Sequence, residues 1–354
     1  MNSANIATVR LISQQIAETK FGTAKDLVDW MGAMQAQDYA MAKWAIGARL
    51  PNSTDQEVET AINNGDIIRT HLLRPTWHFV TAGDIYWMLE LTAPQIKTSL
   101  KSRQKQLELS EATLAKSNEV IEKALSGGKS LIREEIIAEL EKAKIATNEN
   151  RASHLLLCAE LEGIICSGAI KRGKQTYALL EERVPQKKHL TKEEALASLA
   201  KRYFTSRCPA TLQDFIWWSG LSAKDAKHAL EMVKSDFIPE TIDSQTYWLA
   251  NSFSLPKTDN RSVYLLPAFD EFIISYKNRS AVLPFGNQNK AISDNGIFRP
   301  MIVVNGQITG IWKRTLKKDK VIVATECFQK LDKATTGLIG KASLQYERFV
   351  FGKS

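Results

Sequence analysis

Thr211-Leu212-Gln213-Asp214-Phe215-Ile216-Trp217-Trp218-Ser219-Gly220-Leu221-Ser222-Ala223-Lys224-Asp225 is the stretch that decides the fold. It contains two helix starts of one kind, Thr211 with Asp214 and Ser222 with Asp225. In each, a hydroxyl can accept the amide three residues on while the carboxylate reaches back to the cap. Trp218-Ser219-Gly220-Leu221 supplies a glycine turn between them, and Phe215, Trp217 and Trp218 form an aromatic stripe expected to face the core. Two short capped helices around such a turn make a helix-turn-helix. Strand-like runs at 237–242 and 245–249 follow, turned at Asp243-Ser244. Helix-turn-helix plus hairpin is a winged helix, predicted over residues 187–256.

The same order recurs upstream. Thr23-Ala24-Lys25-Asp26 and Thr54-Asp55-Gln56-Glu57 open helices in the first unit, residues 1–83. Runs rich in β-formers at 67–73 and 77–80 then flank Arg74-Pro75, giving a helix-helix-helix-hairpin order. In the second unit, residues 84–186, Leu131, Ile136, Ile137 and Leu140 mark a helix and residues 151–161 the next. Strands at 164–167 and 176–180 enclose a basic hairpin tip, Gly168 to Lys174. The last segment, residues 257–354, differs. Its strands are expected at 263–266, 298–304, 307–312 and 321–328, with Asn305-Gly306 as a hairpin turn, 286–296 as a loop and a short helix at 335–347. The predicted fold class is therefore α+β, mainly α: three tandem winged-helix units followed by a small C-terminal antiparallel β unit.

The 354 residues carry 47 Lys and Arg against 39 Asp and Glu, a net charge of +8 and a pI near 9.1. That balance suits a polyanion, nucleic acid above all. Cys158, Cys166, Cys208 and Cys327 are scattered without a Cys-x-x-Cys pair, which points to reduced thiols rather than a zinc site or disulfide framework. No apolar run is long enough for a membrane span, and Met1-Asn2-Ser3-Ala4-Asn5 does not read as a leader, so a cytoplasmic, nucleoid-associated protein is expected. Walker, dinucleotide-binding, His-Glu-x-x-His and Gly-x-Ser-x-Gly motifs are missing, which leaves ATPase, dehydrogenase, zinc-protease and α/β-hydrolase readings without support.

Met34-Gln35-Ala36-Gln37-Asp38-Tyr39 is the unusual local feature. Residues two apart diverge on a helix but share a face when extended, so Gln35 and Gln37 converge only if the preceding helix ends or distorts. A converging pair of amides, each with an acceptor and two donors, can hold one water from both sides. A neutral amide orients such a water but does not deprotonate it. Asp38 could take the proton or stabilise a cationic sugar; the plain alternative for all three is a polar helix end. Arg69, His71, Arg74 and Trp77 mix cations with an aromatic ring at the first hairpin, chemistry suited to phosphates and bases, or else to a half-buried hairpin with polar residues outward. His78 reads as structural. Lys171, Arg172 and Lys174 form one basic cluster, and Lys313, Arg314, Lys317, Lys318 and Lys320 another beyond the last hairpin.

Three stretches, Gln35-Ala36-Gln37, then 69–80, then Leu265-Leu266-Pro267-Ala268-Phe269-Asp270-Glu271 with Tyr276-Lys277-Asn278-Arg279, resemble the AlkZ/YcaQ-type winged-helix DNA glycosylases in order and over nearly the whole chain. The resemblance implies tandem winged helices around a C-shaped, positively lined channel. It also implies excision of alkylated bases, N7-alkylguanine among them, and in some members the unhooking of interstrand crosslinks. The family's catalytic motif is glutamine, an apolar residue, then glutamine or aspartate. Gln35, Ala36 and Gln37 match its glutamine form, similar to the AlkZ branch, whereas YcaQ-like members carry aspartate third. The motif gives Asp38 no role. The expected partner is double-stranded DNA with alkylated bases, met by a monomer without metal or cofactor. A non-catalytic winged-helix DNA-binding protein, such as a transcription regulator, is the competing reading, since fold does not fix function. A protein-interaction scaffold is a third.

Overall fold

The computed structural model describes residues 3–251 and 261–352; Met1, Asn2 and the segment boundary expected at 256/257 lie outside them. The chain splits into two compact units. Unit 1 comprises Met1–Glu59, Leu196–Trp218 and Ser222–Ser354, and unit 2 comprises Thr60–Ala195 and Ser219–Leu221.

The N-terminal part carries α1 (Ser3–Ser13), α2 (Ala24–Met31), the two-residue extended segment β1 (Met34–Gln35), α3 (Tyr39–Gly47) and α4 (Asp55–Asn64). Thr23 caps α2 through the Asp26 amide, and Thr54 and Glu57 exchange the two bonds of a capping box at α4, as their spacing predicts. α3 has no counterpart among the expected elements. Its residues Met41 to Gly47 are all buried, so it has no apolar stripe to betray it. Its one signal is Asp38, whose carboxylate accepts the Met41 amide at 3.1 Å.

Unit 2 continues with β2 (Ile67–Leu72), β3 (Thr76–Thr81), α5 (Ile85–Gln106), α6 (Glu111–Leu125), β4 (Leu131–Ile132), α7 (Arg133–Lys142), α8 (Arg151–Leu161), β5 (Ile165–Ser167), β6 (Thr176–Leu179) and α9 (Leu180–Arg183). β2 and β3 pair antiparallel, from Ile67 opposite Thr81 to Leu72 opposite Thr76. β4, β6 and β5 form a second antiparallel sheet in that order. Leu131 belongs to β4 and not to the helix expected there: Ile132 is the N-cap position of α7, and its amide bonds Glu135. Ile121, Leu125, Ile136, Leu140, Leu155, Ile165 and Leu179 meet in one core. Each contributes about 1.5–3 kcal/mol by leaving water.

The chain then runs through α10 (Lys192–Ser206), α11 (Leu212–Ser219), α12 (Ala223–Val233), β7 (Phe237–Ile242) and β8 (Gln245–Ala250). The capping box forms at α11, while at α12 Ser222 caps the Asp225 amide and its hydroxyl donates to the Asp225 carboxylate; Gly220 turns between the two helices at φ +69. A Cβ there would stand 2.5 Å from the Leu73 carbonyl oxygen, so both backbone sign and space call for glycine. Asp243 and Ser244, at φ 48 and 61, make the two-residue β7–β8 turn. Phe215 and Trp218 are buried as expected, but Trp217 is 39% exposed: its indole donates to Ile274 O, with Arg279 over the ring.

Unit 1 closes with β9 (Val263–Leu266), α13 (Glu271–Ile274), α14 (Gln288–Ala291), β10 (Met301–Val304), β11 (Gln307–Leu316), β12 (Val321–Cys327) and α15 (Lys333–Phe351). The strands form one antiparallel sheet in the order β12-β11-β10-β9. β10 starts only after Pro300, because proline has no amide for a ladder. The breaker-rich segment 286–296, expected as a loop, holds α14. β11 runs to Leu316, so Lys313 and Arg314 lie within the β11–β12 hairpin rather than beyond the last one, opposite Ala324 and Val323. Trp44 packs between Tyr346 and Phe349 of α15, with its indole donating to Leu265 O. The result is a mixed helical protein with small antiparallel sheets. Among the described residues no helix is long and apolar enough to cross a membrane.

Candidate functional site

The glutamine motif sits where α2 stops. Gly32 adopts φ 71, ψ −59, a backbone sign glycine takes without Cβ strain, and its N–H bonds Asp29 O. The chain then extends through Met34 and Gln35. The helix thus ends before Gln35; the extended segment closes at Gln35, and Gln37 lies in the bend that leads into α3. Ala36 is fully buried, Gln35 is 8% exposed, and Gln37 is exposed.

This short segment is braced from behind by an ion pair. Arg207 is fully buried and contacts Glu271 at 2.8 Å. Its other guanidinium donors reach Met31 O at 2.6 Å and Ala33 O at 2.7 Å. Glu271 accepts the Gln35 amide at 2.7 Å, and also the Trp218 indole and the Ser275 hydroxyl. Burial alone would raise the Glu271 carboxyl. The Arg207 charge outweighs it, helped by bonds from Ser275, Arg207 and the Gln35 amide, and holds the group down at about 2. A fixed anion and a fixed cation therefore set the backbone on both sides of Met34.

The adjoining layer has the same character. Arg49, at the end of the α3 turn, makes a two-pronged pair with Asp270 at 2.9 Å on each oxygen, and donates to Gln14 as well. Gln14 donates to the Tyr276 hydroxyl, whose ring lies under the Arg10 guanidinium at 3.4 Å. Asp270, Glu271 and Tyr276 of the third sequence motif therefore join the framework that carries the first motif.

Asp38 is at a helix start, the N-cap of α3, and not at a helix end. Lys43, one turn on, is buried against Asp55 and Glu59 at 2.6 and 2.8 Å.

The first-hairpin residues are engaged within unit 2. Arg69 is 7% exposed, donates to Gln175 Oε1 and lies 4.0 Å over the Trp77 ring. His71 bonds Glu160 through Nδ1 and packs at a tilt of 41° against Trp77, with centroids 4.0 Å apart. Arg74 follows the β2 strand end, beside Leu73 at φ 59. His78 is fully buried with Nδ1 on Thr76 O, in keeping with a structural role. Lys171, Arg172 and Lys174 are exposed at the β5–β6 tip, where Lys171 and Lys174 bridge and Lys171 stands 3.7 Å from Glu135. Lys313, Lys317 and Lys318 are exposed along the β11–β12 hairpin, while Arg314 bonds the Tyr346 hydroxyl.

Sequence reasoning missed Arg207, for which no local pattern exists: its partners are 174 and 64 residues away. Glu271 was visible only as part of a quoted motif. Glu160 and His154 of α8 were missed because they fall on a helix whose pattern is otherwise apolar. Among the described residues no group of three or more His, Cys, Asp or Glu is arranged to hold a metal ion.

Comparisons with known proteins give the family and the fold. The Streptomyces sahachiroi protein described as an interstrand DNA cross-link repair glycosylase is 22% identical over 312 residues, 82% of each chain. The solved structure of Streptomyces sahachiroi DNA glycosylase AlkZ superposes with a TM-score of 0.81 at 17% identity, over 99% of this chain and 96% of that one, and so shares the fold. The family of AlkZ-like DNA glycosylases matches residues 28–349, from within α2 almost to the end of α15. The chain belongs to the AlkZ-like DNA glycosylase family, hydrolases of the N-glycosyl bond.

Proposed function

We propose that this glycosylase releases cationic, N7-alkylguanine-type bases from double-stranded DNA, with Gln35 and Gln37 holding the hydrolytic water. N7-alkylation leaves guanine positively charged and already a good leaving group, so no strong acid is needed. What remains is to stabilise an oxocarbenium-like sugar and deliver water, a task for preorganised neutral dipoles. Asp38 takes the water's proton or stabilises the sugar cation with the carboxylate oxygen not used in capping α3. Three tandem winged helices carry the duplex. Arg69, His71, Arg74 and Trp77 line the first wing, and Lys171, Arg172 and Lys174 with Lys313, Arg314, Lys317 and Lys318 contact phosphate. Crosslinked or bulky adducts, the former being the lesion named for the Streptomyces relative, fall within the same chemistry. The enzyme acts as a monomer at the nucleoid.

One observation carries this reading. The Gln35 amide is fixed by the Glu271 carboxylate, itself clamped by Arg207, so the start of the Gln-Ala-Gln segment is held before substrate arrives. The test is release of 7-methylguanine from methylated duplex by Gln35→Ala, Gln37→Ala and the double variant. Each single change is expected to slow release by about 10²–10³-fold, and the double change to abolish it, with duplex affinity kept. Full activity in the double variant overturns the assignment.

A further inference from the structure

Unit 2 contains a cavity of about 380 Å³ to which the reaction above assigns no ligand, although His71 and Trp77 of the first hairpin stand in its wall. That volume lies within the ~300–1,000 Å³ typical of small-molecule sites. Asn150, Ser153, His154, Leu157 and Glu160 place one side of α8 along it, at helical spacing. Its walls include the tilted His71 and Trp77 rings, with centroids 4.0 Å apart, and Tyr177, 6.5 Å from Trp77.

The chemistry is graded from floor to mouth. Glu160 is fully buried; one carboxylate oxygen bonds His71 Nδ1 and the other, Oε1, has no hydrogen-bond partner among the described residues. His154, 6% exposed, likewise has Nε2 buried and unpartnered among them. A buried acceptor left unmatched is costly, and it is matched when a ligand brings N–H groups. Burial raises the Glu160 carboxyl above its ordinary value, against the weaker opposing pull of the His71 contact and the nearby Arg69. Burial, with Arg103 nearby, pushes His154 towards the neutral ring. At the mouth stand Arg103 and Arg133, neither with a carboxylate within ion-pair distance among the described residues. A cationic ligand is therefore repelled at the entrance although the floor wants donors. The combination selects a flat neutral ring with a donor edge, joined to an anion.

We propose that this cavity binds a guanine nucleotide, with the ring N–H and exocyclic amino group on Glu160, the ring against Trp77 and Tyr177, and the phosphate on Arg103 and Arg133. Guanine presents two adjacent donors on one edge, whereas adenine presents only its exocyclic amino group. The ligand is either a free nucleotide or an unpaired one displaced from DNA. The cavity belongs to unit 2 and the Gln35 strand to unit 1, and the inference does not rest on the proposed reaction.

The experiment is calorimetric titration of the intact chain with guanosine 5′-monophosphate, adenosine 5′-monophosphate and inorganic phosphate. The guanine nucleotide is expected to saturate and to bind about tenfold or more tightly than the other two, the discrimination that satisfying one buried acceptor supplies. Glu160→Gln should lose the preference over adenine; Arg133→Ala, at a partly exposed position that leaves the core intact, should weaken both nucleotides alike. A second arm compares duplexes with a single bulged guanine or adenine. A guanine preference there that is competed by the free nucleotide assigns the ligand to unpaired DNA. Nucleotide binding without a bulge preference assigns it to the free pool. No saturation by the guanine nucleotide, equal binding of the two nucleotides, or full affinity in Arg133→Ala overturns the proposal.

Discussion

The substitution Glu271→Gln tests how the glutamine strand is held. The new side-chain amide keeps the shape and an oxygen able to accept the Gln35 N–H, but removes the charge that balances Arg207. The carboxyl is held at about 2 against an ordinary value of 4.5. A difference of about 2.5 units at about 1.4 kcal/mol each makes the charged form worth about 3 kcal/mol to the fold. Breaking a buried pair from one side independently costs about 3–5 kcal/mol, so the two routes agree. That is a large share of the ~5–15 kcal/mol that keeps a protein folded. Because the folded-state value is depressed, the contribution is fully present above pH 4.5 and is lost as pH falls towards about 2. Urea unfolding of both proteins between pH 3 and 7 is the assay. Glu271→Gln should be about 3 kcal/mol less stable at pH 7, with the gap narrowing below about pH 4.5 as protons do to the parent what the substitution does permanently. A gap under about 1 kcal/mol, or one that does not change with pH, refutes the reasoning. The 7-methylguanine release of the surviving folded fraction should fall as well, since Gln35 hangs from the same carboxylate.

Three further outcomes are expected. Asp38→Ala should lose about 1 kcal/mol of stability with the α3 cap, while Asp38→Asn keeps the cap; base release by the Asn variant then reads out whether the carboxylate acts in the chemistry. Gly220→Ala should destabilise by more than about 1 kcal/mol, because it meets both φ +69 and the Leu73 carbonyl; an unchanged melting temperature would contradict the crowding at that turn. Removing Lys171, Arg172 and Lys174 together should flatten the dependence of log affinity on log salt by about 0.9 per lost phosphate contact; an unchanged slope in a salt titration means the tip does not touch DNA.

Much of the fold was legible because its signals are local. A hydroxyl and a carboxylate three residues apart mark a helix start wherever they fall, and Thr23, Thr54, Thr211 and Ser222 all cap as their spacing dictates. Strand pairs around short turns were equally plain. What escaped depends on tertiary neighbours. α3 is buried on every side and has no periodicity to read. β11 overruns its basic end because β12 supplies a partner through Val321. Trp217 escapes the core because Ile274 O and Arg279 offer its indole a polar berth. The glutamine pair could be picked out by composition, and the condition for its convergence stated, but the Arg207–Glu271 brace could not. Nothing in a linear pattern ties residues 35, 207 and 271.

That brace has a consequence for biosynthesis. In chain order, most of unit 2 interrupts unit 1, and the Gln35 amide waits for a carboxylate 236 residues further along. While the ribosome is still making the middle of the protein, unit 2 can complete its own core, but the N-terminal helices have neither Arg207 nor Glu271 to dock against. Contacts of such long span are late and slow to form. The segment that begins at Gln35 therefore takes its final shape only after Glu271 has been translated, long after its own residues have left the ribosome.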